Sequence, residues 1–310
     1  MVTMTGRLFV TGAAGQLGTA VRQVAARGDS ILDVTPLTST DLDIADSESV
    51  RSALTDLTAD DVVLNCIAYT DVDGAEEDHS GAHAVNVDGP AHLVRVTKEK
   101  GAWLIHISTD YVFSGTPPRV ADIEGYEPGD IDPREKPATV YGRTKLRGEN
   151  VVLRNDPSST IVRTAWLYTG GPESKDFVGT MRRLEAQRDT ISVVDDQTGS
   201  PTYAHDLAAG LLELAGRGRT DAVAGQVLHA TNAGRATWYE LAAQVFTEIG
   251  ADPARVQPCT TADFPRPAPR PAYSVLSGRS WAAAGLTPLR DWRTALGSAV
   301  AGQDSPVDHT

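Results

Sequence analysis

The segment RLFVTGAAGQLGTAVRQVAARG, Arg7 to Gly28, constrains the fold more than any other part of the chain. The short apolar run RLFVTG ends in glycine. The residues after it set Leu17, Val21 and Val24 at helical spacing before Gly28 closes the pattern. A strand that passes into a helix through a glycine-rich loop is the opening unit of a wound α/β sheet, and the chain keeps that rhythm. ILDVTPLT, DVVLNCIAYT and AWLIHISTD read as strands, and GPAHLVRVTKEKG as a helix stopped by Gly101. GRTKLRGENVVLRN is a further helix, followed by the strand STIVRTAWLY. Alternating strands and helices predict an α/β fold with a Rossmann-like, doubly wound parallel sheet.

The second half is more broken. TGGPESK separates the first elements from the helix FVGTMRRLEAQ. The strand ISVVDDQTGSPTY, the helix AHDLAAGLLELAG, the strand GQVLHATN and the helix TWYELAAQVFTEIG follow. FPRPAPRPAYS, with prolines at 265, 267, 269 and 271, can be neither helix nor central strand and reads as a fixed loop. Residues 1–6 and the closing AGQDSPVDHT read as frayed ends. A chain of 310 residues suits one large domain or two interleaved ones. The division expected is a cofactor-binding domain built mainly from residues 1–165 and a smaller substrate-binding domain mainly from 166–310. Strands at about 190–232 partly return to the first domain.

Charge narrows the partners. With 28 Lys and Arg against 41 Asp and Glu, the net charge is −13, which disfavours nucleic acid and anionic membrane surfaces. An acidic chain that binds an anion must gather its cations locally. No apolar run is long enough to span a bilayer, and the first residues carry no basic and apolar leader pattern. Cys66 and Cys259 lie far apart, as two free thiols of a reducing cytosol would, so a cytoplasmic protein without a metal site is expected.

Within TGAAGQLG, Gly12, Gly15 and Gly18 form a G-x-x-G-x-x-G pattern around Gln16 and Leu17. Glycine is needed where the backbone turns tightly, where it approaches a pyrophosphate, and where helix meets strand. The helix N-terminus beyond then offers free N–H groups to the phosphates. Ordinary turns also collect glycines; the strand-loop-helix context is what gives this triplet weight. Its spacing resembles that of the extended branch of the short-chain dehydrogenase/reductase superfamily. The resemblance implies a nicotinamide cofactor on the loop, with Asp43 and Ile44 toward its adenine side and Ala68, Tyr69 and Thr70 toward its middle. After the second strand the chain offers only Thr38 and Ser39, with no basic residue nearby, so NADPH and NADH both stay open.

VYGRTK places Tyr141 and Lys145 four residues apart, on one helix face. A ketone reduced by hydride needs a proton on its oxygen. A phenol with a pKa of about 10 gives one readily only where a cation stabilises the anion left behind. Lys145 is placed to do so and to hold the nicotinamide ribose. Thr109, in STDYVFSG at a strand end, is placed to hydrogen-bond the same carbonyl oxygen. Tyr111 has no cation at helical distance and reads as packing, and Ser108 as structural.

Seven runs in order across nearly the whole chain sharpen the resemblance: TGAAGQLG, AYTDVDGAE, STDYVFSG, VYGRTKLRGE, VRTAWLY, DDQTGSPTY and RPAYSVL. Together they resemble the dTDP-4-dehydrorhamnose reductases. Those enzymes use NADPH or NADH to reduce the C4 ketone of dTDP-4-dehydro-L-rhamnose. The dTDP-L-rhamnose they form is the donor for bacterial cell-wall and surface polysaccharide. The resemblance implies Tyr141 as proton donor, Lys145 as its partner and Thr109 as carbonyl ligand. It also implies Thr109 and Asp110 against the sugar, Trp166 as a wall, and the nucleotide end of the substrate under the loop around Arg270. An Arg suits a diphosphate because its fork bonds two oxygens at once. Some members form Mg²⁺-bridged dimers through glutamates, one on the first helix. TAVRQVAARG carries no carboxylate, which leaves monomer and homodimer open and puts Mg²⁺ in doubt. A dehydratase of the same superfamily would place Asp-Glu after the Ser-Thr pair, whereas Asp110 is followed by Tyr111. An epimerase would hold its NAD tightly, and a cofactor-binding regulatory subunit would have lost the Thr-Tyr-Lys set.

Overall fold

The structure, a computed structural model, describes residues 6–29, 32–117, 125–132 and 134–302. Six parallel strands form the main sheet: β1 (Arg7–Thr11), β2 (Asp33–Leu37), β3 (Val62–Asn65), β4 (Trp103–Thr109), β5 (Thr160–Thr164) and β6 (Val227–His229). Their order across the sheet is β6-β5-β4-β3-β1-β2. The chain leaves β1 toward β2 on one side and crosses back to β3 on the other. The end of β1 is therefore the switch point where such sheets open a ligand crevice. Pro36 lies in β2, at the sheet edge, where its missing N–H breaks no ladder.

Both faces are covered, and alternation along β1 shows how. Leu8 and Val10 pack with Leu17 and Val21 of the helix Gln16–Val24 and with Leu207 and Leu211 of the helix Ala204–Arg217. Phe9, between them, faces the other layer with Val50, Leu93 and Val94. The helix Gly89–Lys100 in that layer ends on Gly101 in the left-handed conformation, where the sequence placed its stop. The doubly wound sheet is as expected from the strand-helix rhythm.

The C-terminal half builds a second, smaller cluster. The helices Phe177–Glu185, Trp238–Glu248 and Trp292–Ala301 enclose the parallel pair Ile191–Val194 and Val256–Cys259, with Phe246, Trp292 and Leu296 inside. Trp238–Glu248 starts from a reciprocal capping box between Thr237 and Glu240. ISVVDDQTGSPTY, expected as one strand, is divided into Ile191–Val194, Thr198–Gly199 and Thr202–Tyr203, each paired elsewhere than in the main sheet. The turn-forming Asp-Asp-Gln and Ser-Pro steps interrupt it. STIVRTAWLY likewise breaks after Thr164. Leu167–Tyr168 pairs with Thr202–Tyr203, and Trp166 between the two strands has φ +45°. The proline-rich segment from Pro265 to Pro271 is free of helix and strand. The expected frayed ends fall largely outside the described residues. No helix among the described residues is long and apolar enough to cross a membrane.

Candidate active site

A cleft of about 1320 Å³ runs from the glycine loop, past the ends of β4 and β5, to the C-terminal cluster. Its floor at one end is the loop after β1. Gly12 has φ +71°, and a Cβ on Gly18 would come within 2.3 Å of the Gly12 carbonyl oxygen, so only glycine lets the helix start this close to the strand. Gly15 precedes the helix in extended conformation, without a side-chain cap, and the first helical turn carries no acidic residue. The uncapped N–H groups and the positive helix end are suited to an anionic group, so the loop fits a dinucleotide pyrophosphate.

Farther along, Thr139 caps the helix Val140–Asn155 by accepting the Gly142 N–H at 2.9 Å. This fixes Tyr141 in the first turn and Lys145 in the second. A Cβ on Gly142 would lie 2.1 Å from the Tyr111 carbonyl oxygen. The glycine thereby lets the Thr109–Tyr111 turn press against the helix, and the Tyr111 and Tyr141 rings meet edge to face at 5.5 Å. Tyr111 packs on the phenol as the sequence reading expected, and it also lines the cleft.

Burial dominates the electrostatics. It pushes the Tyr141 phenol up to about 12, eased by a hydrogen bond with Thr109 and reinforced by Asp110. It brings Lys145 down to about 8, against the pull of Glu149 and Cys66. Lys145 Nζ donates to the Ile107 carbonyl at 2.7 Å. Cys66, beside it in the cleft wall, is raised by burial to about 12 and is no nucleophile at neutral pH. Asp110 Oδ1 accepts the Thr109 hydroxyl at 2.9 Å, and burial lifts its carboxyl to about 6, against the Ser274 and Thr109 hydroxyls.

Two buried atoms in this wall, Ser108 Oγ and Thr164 Oγ1, have no hydrogen-bond partner among the described residues. Each such atom costs about 1–3 kcal/mol, against a net domain stability of about 5–15 kcal/mol. A wall that tolerates two of them is built for a polar ligand.

The opposite wall comes from the C-terminal cluster. Trp166 stacks on Trp238, with ring centroids 3.5 Å apart and planes 4° from parallel, and the Trp238 Nε1–H donates to Gln197 at 3.1 Å. Asp176 caps the helix Phe177–Glu185 through the Gly179 N–H, and its second oxygen accepts Thr169, Ser174 and, at 3.3 Å, the Gln16 side chain. Gln16 thus ties the glycine loop to the far lobe.

Among the residues expected from sequence, Gly12, Gly15, Gln16, Leu17, Gly18, Ala68, Thr70, Thr109, Asp110, Tyr141, Lys145 and Trp166 line this one cleft. Asp43, Ile44, Tyr69 and Arg270 do not. Asp43 is exposed and accepts the Ala45 N–H at 3.0 Å. Ile44 is buried under Gly89. Tyr69 exchanges backbone hydrogen bonds with the Asn86 side chain. Arg270 is forked onto Asp73 at 2.9 and 2.8 Å and lines a separate cavity of about 110 Å³ behind Tyr111. Burial acts to raise the Asp73 carboxyl, but Arg270 and the Ala268 N–H more than offset it and hold it low. Trp238, Asp176, Thr164 and Cys66 were missed. Only Asp176 left a readable signal, as an Asp directly before a helical run. No three His, Cys, Asp or Glu side chains gather as metal ligands would among the described residues.

Comparison with known proteins agrees with this architecture. Residues 6–304 match the family described as the RmlD substrate binding domain. A Mycobacterium tuberculosis protein named dTDP-4-dehydrorhamnose reductase is 51% identical over 303 residues, covering 97% of this chain and 94% of that protein. The crystal structure of a dTDP-4-dehydrorhamnose reductase from Clostridium acetobutylicum superposes with TM-score 0.83 at 36% identity, over 95% of this chain and 98% of that one. That of a dTDP-4-dehydrorhamnose reductase from Bacillus anthracis, in complex with NADP, gives 0.83 at 32% identity over 94% and 98%. With a family match from end to end and a relative at 51% identity, the chain belongs to the dTDP-4-dehydrorhamnose reductase family.

Proposed function

We infer that this protein reduces the C4 ketone of dTDP-4-dehydro-β-L-rhamnose to dTDP-β-L-rhamnose, with NADPH as reductant. The observation that carries the reading is the meeting of Tyr141, Lys145 and Thr109 in one cleft with the glycine loop, in a chain of this family. NADPH, when bound, supplies the hydride that C4 accepts, and the ketone oxygen takes a proton to become the alcohol. Tyr141 donates that proton. Its buried phenol, raised to about 12, stays protonated at neutral pH and is available as the acid. The tyrosinate left behind is stabilised by the Lys145 ammonium one turn on, and Lys145, at about 8, is mostly charged at pH 7. Thr109, whose hydroxyl donates to Asp110 Oδ1 in the free protein, turns that proton to the carbonyl oxygen when the sugar binds.

Gly12, Gly15, Gln16, Leu17 and Gly18 would hold the cofactor's pyrophosphate, with Ala68 and Thr70 along its middle. Tyr69, Asp43 and Ile44, which lie outside the cleft, are placed near the cofactor by the family resemblance. Asp110 orients the sugar hydroxyls, and the Trp166–Trp238 stack forms the wall behind the ring. The nucleotide end is assigned to the loop around Arg270 by the family resemblance, although Asp73 holds both arms of that guanidinium and Arg270 lines a separate cavity. The main sheet is thus the cofactor side and the C-terminal cluster the sugar side. The NADP in the Bacillus relative supports NADPH over NADH. The product, an activated 6-deoxysugar, serves surface polysaccharide synthesis.

The test is NADPH absorbance after addition of dTDP-4-dehydro-L-rhamnose, with NADH in parallel. Consumption matched to sugar reduced is the expected result. An unchanged trace with both cofactors rules the reaction out.

A further inference from the structure

Thr164 ends β5 and lies in register with Thr109 at the end of β4. It is 8% exposed, it lines the cleft, and its Oγ1 has no hydrogen-bond partner among the described residues. Asp110, 3% exposed, lines the same wall with its carboxyl held by the Thr109 and Ser274 hydroxyls. Buried hydroxyls in folded proteins find partners, so an orphan in this wall marks where a ligand's polar group belongs.

The sheet order indicates which ligand. The glycine loop follows β1, and the strands step away from it as β3, β4 and β5. Thr164 therefore stands one strand spacing, about 4.8 Å, farther from the pyrophosphate loop than Thr109 does. Two residues on, Trp166 begins the far wall. Thr109 addresses the carbonyl, so the space beyond it holds the rest of the sugar ring.

We propose that Thr164 is a sugar-binding residue that sets specificity, its hydroxyl pairing with a ring hydroxyl of the 4-ketosugar next to Asp110. This rests on the reductase reading above. A site with a buried hydroxyl to satisfy discriminates strongly against a sugar that lacks the matching group, because the orphan is then sealed in without water. The same orphan makes the free protein less stable than it would be with a methyl group in that place.

The substitutions Thr164→Val, close in size but without the hydroxyl, and Thr164→Ser, which keeps it, separate binding from folding. For Thr164→Val the KM for dTDP-4-dehydro-L-rhamnose rises about tenfold or more. NADPH affinity, read by fluorescence titration, stays within about twofold of wild type. The Tm of the ligand-free protein rises by about 2 °C. Thr164→Ser keeps a KM near wild type. An unchanged KM in Thr164→Val overturns the assignment. So does a loss of NADPH affinity with the sugar KM intact, which makes Thr164 a cofactor contact, or a fall in Tm, which makes its hydroxyl structural. Wild-type protein that leaves NADPH unoxidised overturns the reductase reading itself, and the assignment with it.

Discussion

Lys145 Nζ lies 3.5 Å from Nε2 of His106, a fully buried imidazole. Behind that ring runs a buried chain. The Ile67 N–H and the Thr11 hydroxyl both donate to Asn65 Oδ1, at 3.1 and 2.8 Å, which fixes the amide's orientation. Its Nδ2 then donates to His106 Nδ1 at 2.9 Å. Burial, and then the nearby Lys145 charge, hold the imidazole well below its ordinary value, so it is neutral. With Nδ1 accepting, its one proton sits on Nε2 and faces the amine of Lys145. The lysine thus has a donor before it and burial around it, against which the Ile107 carbonyl, Glu149 and Cys66 favour its charge.

The pH profile should show this. Lys145 loses its charge as pH rises through about 8, well before an exposed lysine would. The tyrosinate then loses its cation, and kcat/KM for the ketosugar should fall about tenfold for each further pH unit. A profile flat to pH 10 would exclude Lys145 as the group that supports Tyr141.

Tyr141→Phe keeps the ring that packs against Tyr111 and removes only the proton donor. Turnover should drop by about 10²–10⁴-fold, while NADPH titrates with unchanged affinity. Full turnover in this variant would place the proton source elsewhere.

Asp110 couples stability to pH. Its folded value, about 6, lies above the ordinary carboxylate value because burial disfavours the charge. Stability from the neutral form is therefore complete below the unfolded value and is lost as pH rises through 6. Asp110→Asn has no carboxyl to ionise, so its stability advantage over wild type, read by unfolding at each pH, should grow from pH 4.5 to pH 8, toward about 3 kcal/mol. An advantage independent of pH would contradict the buried carboxylate with a raised folded value.

Gly18→Ala tests the glycine loop. The added Cβ would meet backbone atoms, the Gly12 carbonyl oxygen at 2.3 Å and the Ala13 Cα at 2.7 Å, which have no freedom to yield. The loop must open, and NADPH affinity measured by titration should weaken at least about tenfold.

Asp176→Ala removes the cap of the helix Phe177–Glu185 together with the partner of Gln16, Thr169 and Ser174. Loss of the cap alone costs about 1 kcal/mol, so thermal unfolding should shift down by a few degrees, about 2–4 °C or more. NADPH affinity should weaken with it, because Gln16 loses its anchor. An unchanged affinity would show that the glycine loop holds its shape without the far lobe.

The wound sheet, the glycine loop and the Tyr141 and Lys145 pair beside Thr109 are legible in the order of the residues. These are written in short-range patterns: strand and helix periods, glycines at fixed offsets, and a tyrosine and lysine one helical turn apart. Tertiary structure alone decided which distant side chains meet. Trp238 sits in a helix whose pattern reads simply as core, and its place against Trp166 depends on a lobe assembled from segments seventy residues apart. Arg270 reads as a free cation, yet Asp73, nearly two hundred residues away, holds both arms of its fork. Thr164 reads as an ordinary strand residue, and only the packed strand ends show that its hydroxyl is buried without a partner. Hydrogen bonding and burial are properties of neighbours in space, and one-dimensional spacing carries them only where the chain supplies both partners locally.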